Sequence, residues 1–269
     1  MEHPFTGPLH QWDERWFLDS VGPGWSFLFT CIPGTMERMA REPRFGLASD
    51  DEGGRRAAVA FIGEARAQAA RLNDALRRRA VSGVALHSAP RRGAPGVSSS
   101  PTALRRSLEE IASWDWSGAE LLLEHCDAWV SAHPPDKGFL GLDDELAACA
   151  GLPVRALINW GRSAIETRGA AGPLEHLARC RGRLGGLIFS GTTPDWKDLH
   201  APFAPCAPGE PGEPGSLMTA EAARRCLALL KEAPPRFLGL KIKPASDALP
   251  AAGRLALIRA GLGILEKKP

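Results

Sequence analysis

The runs VSGVALHSAP (81–90) and AELLLEHCDA (119–128) decide the fold, because each is a short apolar stretch that breaks off into polar residues. A strand buried on both faces reads this way, and parallel strands joined by helices are the common means of burying both faces. VRALINWGRS (154–163), LGGLIFSGTT (184–193) and RFLGLKIKP (236–244) have the same form. WSFLFTCIPG (25–34) is a further buried strand, and MEHP at the start reads as the tail of another. Helical patterns separate these runs, so the expected fold class is α/β, a TIM-type (β/α) barrel with seven recognisable strands. A closed barrel of this type has eight. The first strand-helix unit is therefore expected to be missing, and the two open sheet edges would favour a homo-oligomer.

The segments between the strands carry helix signals. Ser49 opens SDDE, which reads as a capping box with Glu52 and begins a long helix at 50–79, after a polar loop running through Phe45 and Gly46. Ser100-Pro101 offers a capping hydroxyl and a first-turn proline for a helix reaching Trp114. Asp143 to Ala150 supplies a shorter helix, and Ser163 with Glu166 reads as a capping box for a helix ending near Cys180. Helices at 218–232 and 247–267 complete the pattern. HAPFAPCAPGEPGEPG (200–215) is too rich in Pro and Gly for regular structure, and 201–217 is expected to be a loop over the barrel mouth. One domain spans 1–269.

Composition excludes several classes. A net charge of +2 makes no electrostatic case for nucleic acid or an anionic membrane. Nor is there an N-terminal signal peptide or an apolar run near the ~18 residues a span needs, which points to the cytoplasm. The six cysteines lack C-x-x-C spacing and read as buried thiols.

The polar residues that end the strands are the candidate site, since the carboxyl ends of barrel strands converge on one mouth. His87, Glu124 and Lys241 share the inward parity of their strands and are the candidate catalytic groups. Asn159, Ser190 and Lys243 are candidate substrate contacts, together with Arg162 and with Glu2 and His3 at the end of the first visible strand. The SGTT turn (190–193) could present amides to an anionic group of a ligand. The parity of His125 and Asp127 is opposite to that of Glu124. They are expected to support the site from behind rather than form it.

The strings TCIPGTM (30–36), FGLAS (45–49), HSAPR (87–91), EHCDA (124–128), KGFL (137–140), NWGRSAIE (159–166) and FSG (189–191) carry a resemblance. The chain resembles a group of uncharacterised bacterial proteins, a domain of unknown function, which is itself similar to the xylose-isomerase-like TIM barrels of sugar isomerases and epimerases. That resemblance implies an enzyme isomerising or epimerising a sugar or small polyhydroxylated carbonyl compound. Alternatives are a Schiff-base lyase or aldolase using Lys241, and a non-catalytic sugar-binding barrel. Metal-dependent relatives hold a divalent cation with Glu, Asp, His and Glu at successive strand ends. Here Glu124 matches the first position, but Asn159, Ser190 and Lys241 follow. The cofactor stays open, with a divalent metal less favoured than none. The expected partner is a small carbohydrate-like ligand, not nucleic acid or membrane.

Overall fold

The computed structural model describes residues 1–196, 198–199, 215–242 and 250–266. Chain order begins with β1 (Glu2–Pro4), α1 (Glu14–Ser20), β2 (Phe27–Thr30), α2 (Ile32–Arg41), α3 (Glu52–Ala75) and β3 (Val81–Leu86). It continues with α4 (Pro101–Ala112), β4 (Glu120–His125), α5 (Leu142–Ala148), β5 (Val154–Asn159), α6 (Trp160–Thr167) and α7 (Gly172–Cys180). The last elements are β6 (Leu184–Phe189), β7 (Gly191–Thr192), β8 (Asp198–Leu199), α8 (Ala220–Leu229), β9 (Phe237–Leu240) and α9 (Ala251–Glu266). Seven of these strands are parallel and alternate with helices, the α/β pattern read from the apolar runs. The expected loop at 201–217 falls for its greater part outside the described residues, as does Lys243.

Two compact units make up the chain, one of Met1–Glu124 with Gly138–Arg155 and one of His125–Lys137 with Ala156–Pro269. In the first, β1 pairs with β2, β2 with β3 and β3 with β4, all parallel, through partners such as His3 with Phe29 and Leu86 with Leu123. All four residues of β2 are buried, as expected of a strand covered on both faces. Phe5 stacks on Phe29 and Phe61 at 6.0 and 5.2 Å between ring centroids, tying β1 and β2 to α3. Burying each such side chain contributes about 1.5–3 kcal/mol. In the second unit β5 pairs with β6 and β6 with β9, again parallel, while β7 and β8 form a short antiparallel ladder.

Local hydrogen bonding corrects several helix starts. Asp51, not Ser49, caps α3: its carboxylate accepts the Gly54 amide at 2.8 Å, and the Ser49 hydroxyl accepts the Asp51 amide at 3.2 Å. Ser100 caps α4 as expected, accepting the Ala103 amide at 3.1 Å with Pro101 in the first turn. The capping box at Ser163 does not form. Asn159 caps α6 straight from the end of β5, and the helical stretch divides into α6 and α7. The segment expected to be a polar loop after β2 holds α2. Pro33 and Gly34 disguised it, yet a first-turn proline loses no helical hydrogen bond, and a Cβ on Gly34 would collide with Phe61 and lie 2.8 Å from the Phe5 carbonyl oxygen.

Candidate functional site

In the first unit the register of β3 on β4 decides the site. Leu86 lies opposite Leu123, so the next residues, His87 and Glu124, sit side by side. His87 Nε2 meets Glu124 Oε2 at 2.9 Å, with both side chains buried. A carboxylate and an imidazole in this geometry can pass a proton between them, and the surrounding low dielectric strengthens the bond. Ser88, one residue on, donates its hydroxyl to Glu145 of α5 at 2.5 Å, so a second buried carboxylate stands behind the strand end. Glu145 was not singled out from the sequence, where its only signal is an acid on the buried side of α5.

Glu2 lies half-buried on β1, opposite Leu28. His3 is buried among aromatic rings, with Phe29 and Phe17 at 5.0 and 5.1 Å, and its Nε2 bonds the Leu9 carbonyl oxygen at 2.7 Å. Burial lowers its pKa, opposed by the Leu9 carbonyl and aided by His10. A neutral imidazole donating from Nε2 satisfies every part of that environment.

In the second unit Asn159 Oδ1 accepts both the Ser190 hydroxyl at 2.6 Å and the Arg162 amide at 3.4 Å. Two of the expected substrate contacts are thus bonded to each other, and one of them is a helix cap. The Arg162 guanidinium is buried between Asp127, at 3.4 Å, and Asp136. Asp127 also accepts the amides of Asp136 and Lys137 at 2.7 Å each, which orders the 127–137 segment. Lys241 follows β9, its amide bonded to the Phe189 carbonyl oxygen at 2.9 Å.

The same unit holds a group of residues that the sequence did not join. Glu166 receives His125 Nε2 at 2.9 Å and the Ala128 amide at 2.7 Å on one carboxylate oxygen, and His176 Nε2 stands 3.6 Å from the other. Burial pushes the Glu166 pKa upward, but the hydrogen bond and charge of His125, the charge of His176 and the Ala128 amide outweigh it and hold it at about 2.

The strand ends do not fit the divalent-metal sphere of the epimerase type. Asn159 Oδ1 accepts the Ser190 hydroxyl and the Arg162 amide in capping α6, neither residue is a carboxylate, and the position after β9 is a lysine. That donor set leaves Glu124 as the one carboxylate at those positions.

Comparison of the whole chain defines its fold and its family. Its structure is similar to a D-tagatose 3-epimerase-like protein, with a TM-score of 0.60 at 15% identity over 96% of this chain and 84% of that one. It is also similar to D-psicose 3-epimerase from Clostridium cellulolyticum H10, TM-score 0.55 at 12% identity over 97% and 96% of the two chains. Endonuclease IV from Thermus thermophilus gives 0.53 at 17% identity over 94% and 80%. The fold is thus that of the xylose-isomerase-like TIM barrels, here with seven parallel strands among the described residues. The chain belongs to the family described as Domain of unknown function (DUF4862), whose pattern matches residues 1–257. An uncharacterised protein of Salmonella typhimurium (strain LT2) is 36% identical over 274 residues, covering 99% of this chain and 86% of that protein. No helix among the described residues is long and apolar enough to cross a membrane.

Proposed function

We propose that the protein isomerises or epimerises a sugar or another small polyhydroxylated carbonyl compound. The reading rests on the buried 2.9 Å contact between His87 and Glu124 at adjacent strand ends. Such a reaction removes a proton from the carbon next to a carbonyl and returns it elsewhere, so it needs a base, a partner to hold the proton and a positive group for the enediolate oxygen. Glu124 is the base and His87 its partner, both within the first unit, and Lys241 is the candidate positive group that the strand pattern offers. The likeness to sugar epimerases supports the substrate class, and the net charge of +2 favours a small ligand over the nucleic acid implied by the name endonuclease IV.

The test incubates the protein with a panel of ketoses and aldoses in deuterated water and follows loss of the carbon-bound proton signal by NMR. Exchange in the wild type and its loss in Glu124→Gln, with an unchanged circular dichroism spectrum, is the expected result. Undiminished exchange in Glu124→Gln would remove the base assignment. Trapping of a substrate by borohydride in the wild type but not in Lys241→Met would instead favour a Schiff-base lyase.

A further inference from the structure

His125 ends β4, Glu166 lies in the last turn of α6 and His176 lies in the middle of α7, yet their ligand atoms all fall within 4.8 Å of one another. The side chains are 0%, 13% and 3% exposed, so three polar groups are brought together almost wholly out of solvent. We propose that His125, Glu166 and His176 form a binding site for a zinc-class divalent cation, separate from the His87–Glu124 pair.

The distances support it. Ligands at about 2.0–2.1 Å around a tetrahedral ion stand about 3.3 Å apart. The separations here are 2.9 Å from His125 Nε2 to one Glu166 oxygen and 3.6 Å from His176 Nε2 to the other, and one ligand atom of each residue lies within 4.8 Å of the other two. An ion held between them would draw the two imidazoles together by up to about 1.5 Å, onto one or both oxygens of the carboxylate. Two imidazoles and a carboxylate match the borderline softness of zinc, and the set leaves a fourth position for water.

The surroundings are built as a ligand set requires. The hydroxyl of Ser163 lies 3.0 Å from His176 Nδ1 and can accept its proton, the tautomer that leaves Nε2, on the Glu166 side, open to a metal. The His125 and His176 rings meet edge to face, with centroids 4.9 Å apart and planes at 77°, so their nitrogens approach one point from different directions. Gly172 lets α7 start close against the end of α6, because a Cβ there would collide with Thr167. His133 Nε2 bonds the Glu166 carbonyl oxygen at 2.8 Å and ties its own segment to the end of α6. A bound ion would replace the hydrogen bond between His125 and Glu166, and would clasp β4's last residue, α6 and α7 together.

The experiment strips the full-length protein with a chelator and titrates it with zinc by calorimetry and with cobalt(II) by visible absorption. One equivalent of zinc, intense tetrahedral cobalt bands and a higher melting temperature with zinc are expected. Ser163→Ala should weaken zinc binding about 10–100-fold by releasing His176 Nδ1. His176→Gln should abolish stoichiometric binding. Glu124→Gln should bind zinc as the wild type does, which keeps this site apart from the proposed reaction. Stripped wild type that takes up neither ion at large excess overturns the proposal. So does a His176→Gln variant that keeps the full equivalent, since the ion would then sit elsewhere.

Discussion

Glu124 and His87 lie on adjacent strands and face each other at 2.9 Å, with side chains 2% and 0% exposed. A buried pair of this kind adds little over an apolar pair of equal volume, but losing one member leaves the other without its compensation. His87→Ala is therefore expected to cost about 3–5 kcal/mol. The double change His87→Leu with Glu124→Leu should cost clearly less than the single one. Urea denaturation of the two variants checks this. Equal losses, or a larger one in the double variant, would mean that the pair is not coupled.

Asp51 carries the start of α3, through a 2.8 Å bond to the Gly54 amide. Asp51→Ala should destabilise the protein by about 1 kcal/mol, the usual value of an N-cap. Asp51→Asn should recover most of that, because its side-chain oxygen still accepts the amide. Chemical denaturation of the three proteins would show it, and an Asn variant as weak as Ala would assign the effect to charge instead.

Cys31 is buried at the end of β2, and burial pushes its thiol up to about 12, partly offset by Arg38. At pH 8 a thiol of that pKa is ionised to only about one part in ten thousand. Cys31 should escape alkylation by iodoacetamide in the native protein at pH 8 and react once guanidinium unfolds it. Peptide mapping after labelling decides this. Native modification at a rate similar to a small-molecule thiol would contradict the closed packing of Phe29 and its neighbours.

What the sequence by itself determined is everything carried by local period. Apolar runs at 81–86 and 120–125 are strands because both faces are covered, and their two-residue period put His87 and Glu124 on the same side. A first-turn proline after Ser100 marked α4 for the same kind of local reason. Where two short-range signals competed, the stronger hydrogen bond won. SDDE has two capping candidates two residues apart, and NWGRSAIE has an Asn at the strand end that reaches the helix before Ser163 does.

Only the tertiary structure decided which polar residues meet. Glu166 looked like the third position of a cap, but its carboxylate bonds His125, 41 residues away, and faces His176 across the turn between α6 and α7. Arg162 looked like a cation available to a ligand, and folding set it between Asp127 and Asp136. Asn159 and Ser190 looked like two ligand contacts, and the register of β5 on β6 brought them to 2.6 Å of each other. The physical reason is one of range: hydrophobic burial acts on each segment's own pattern, whereas a hydrogen bond or ion pair of a few ångströms exists only after distant segments have packed.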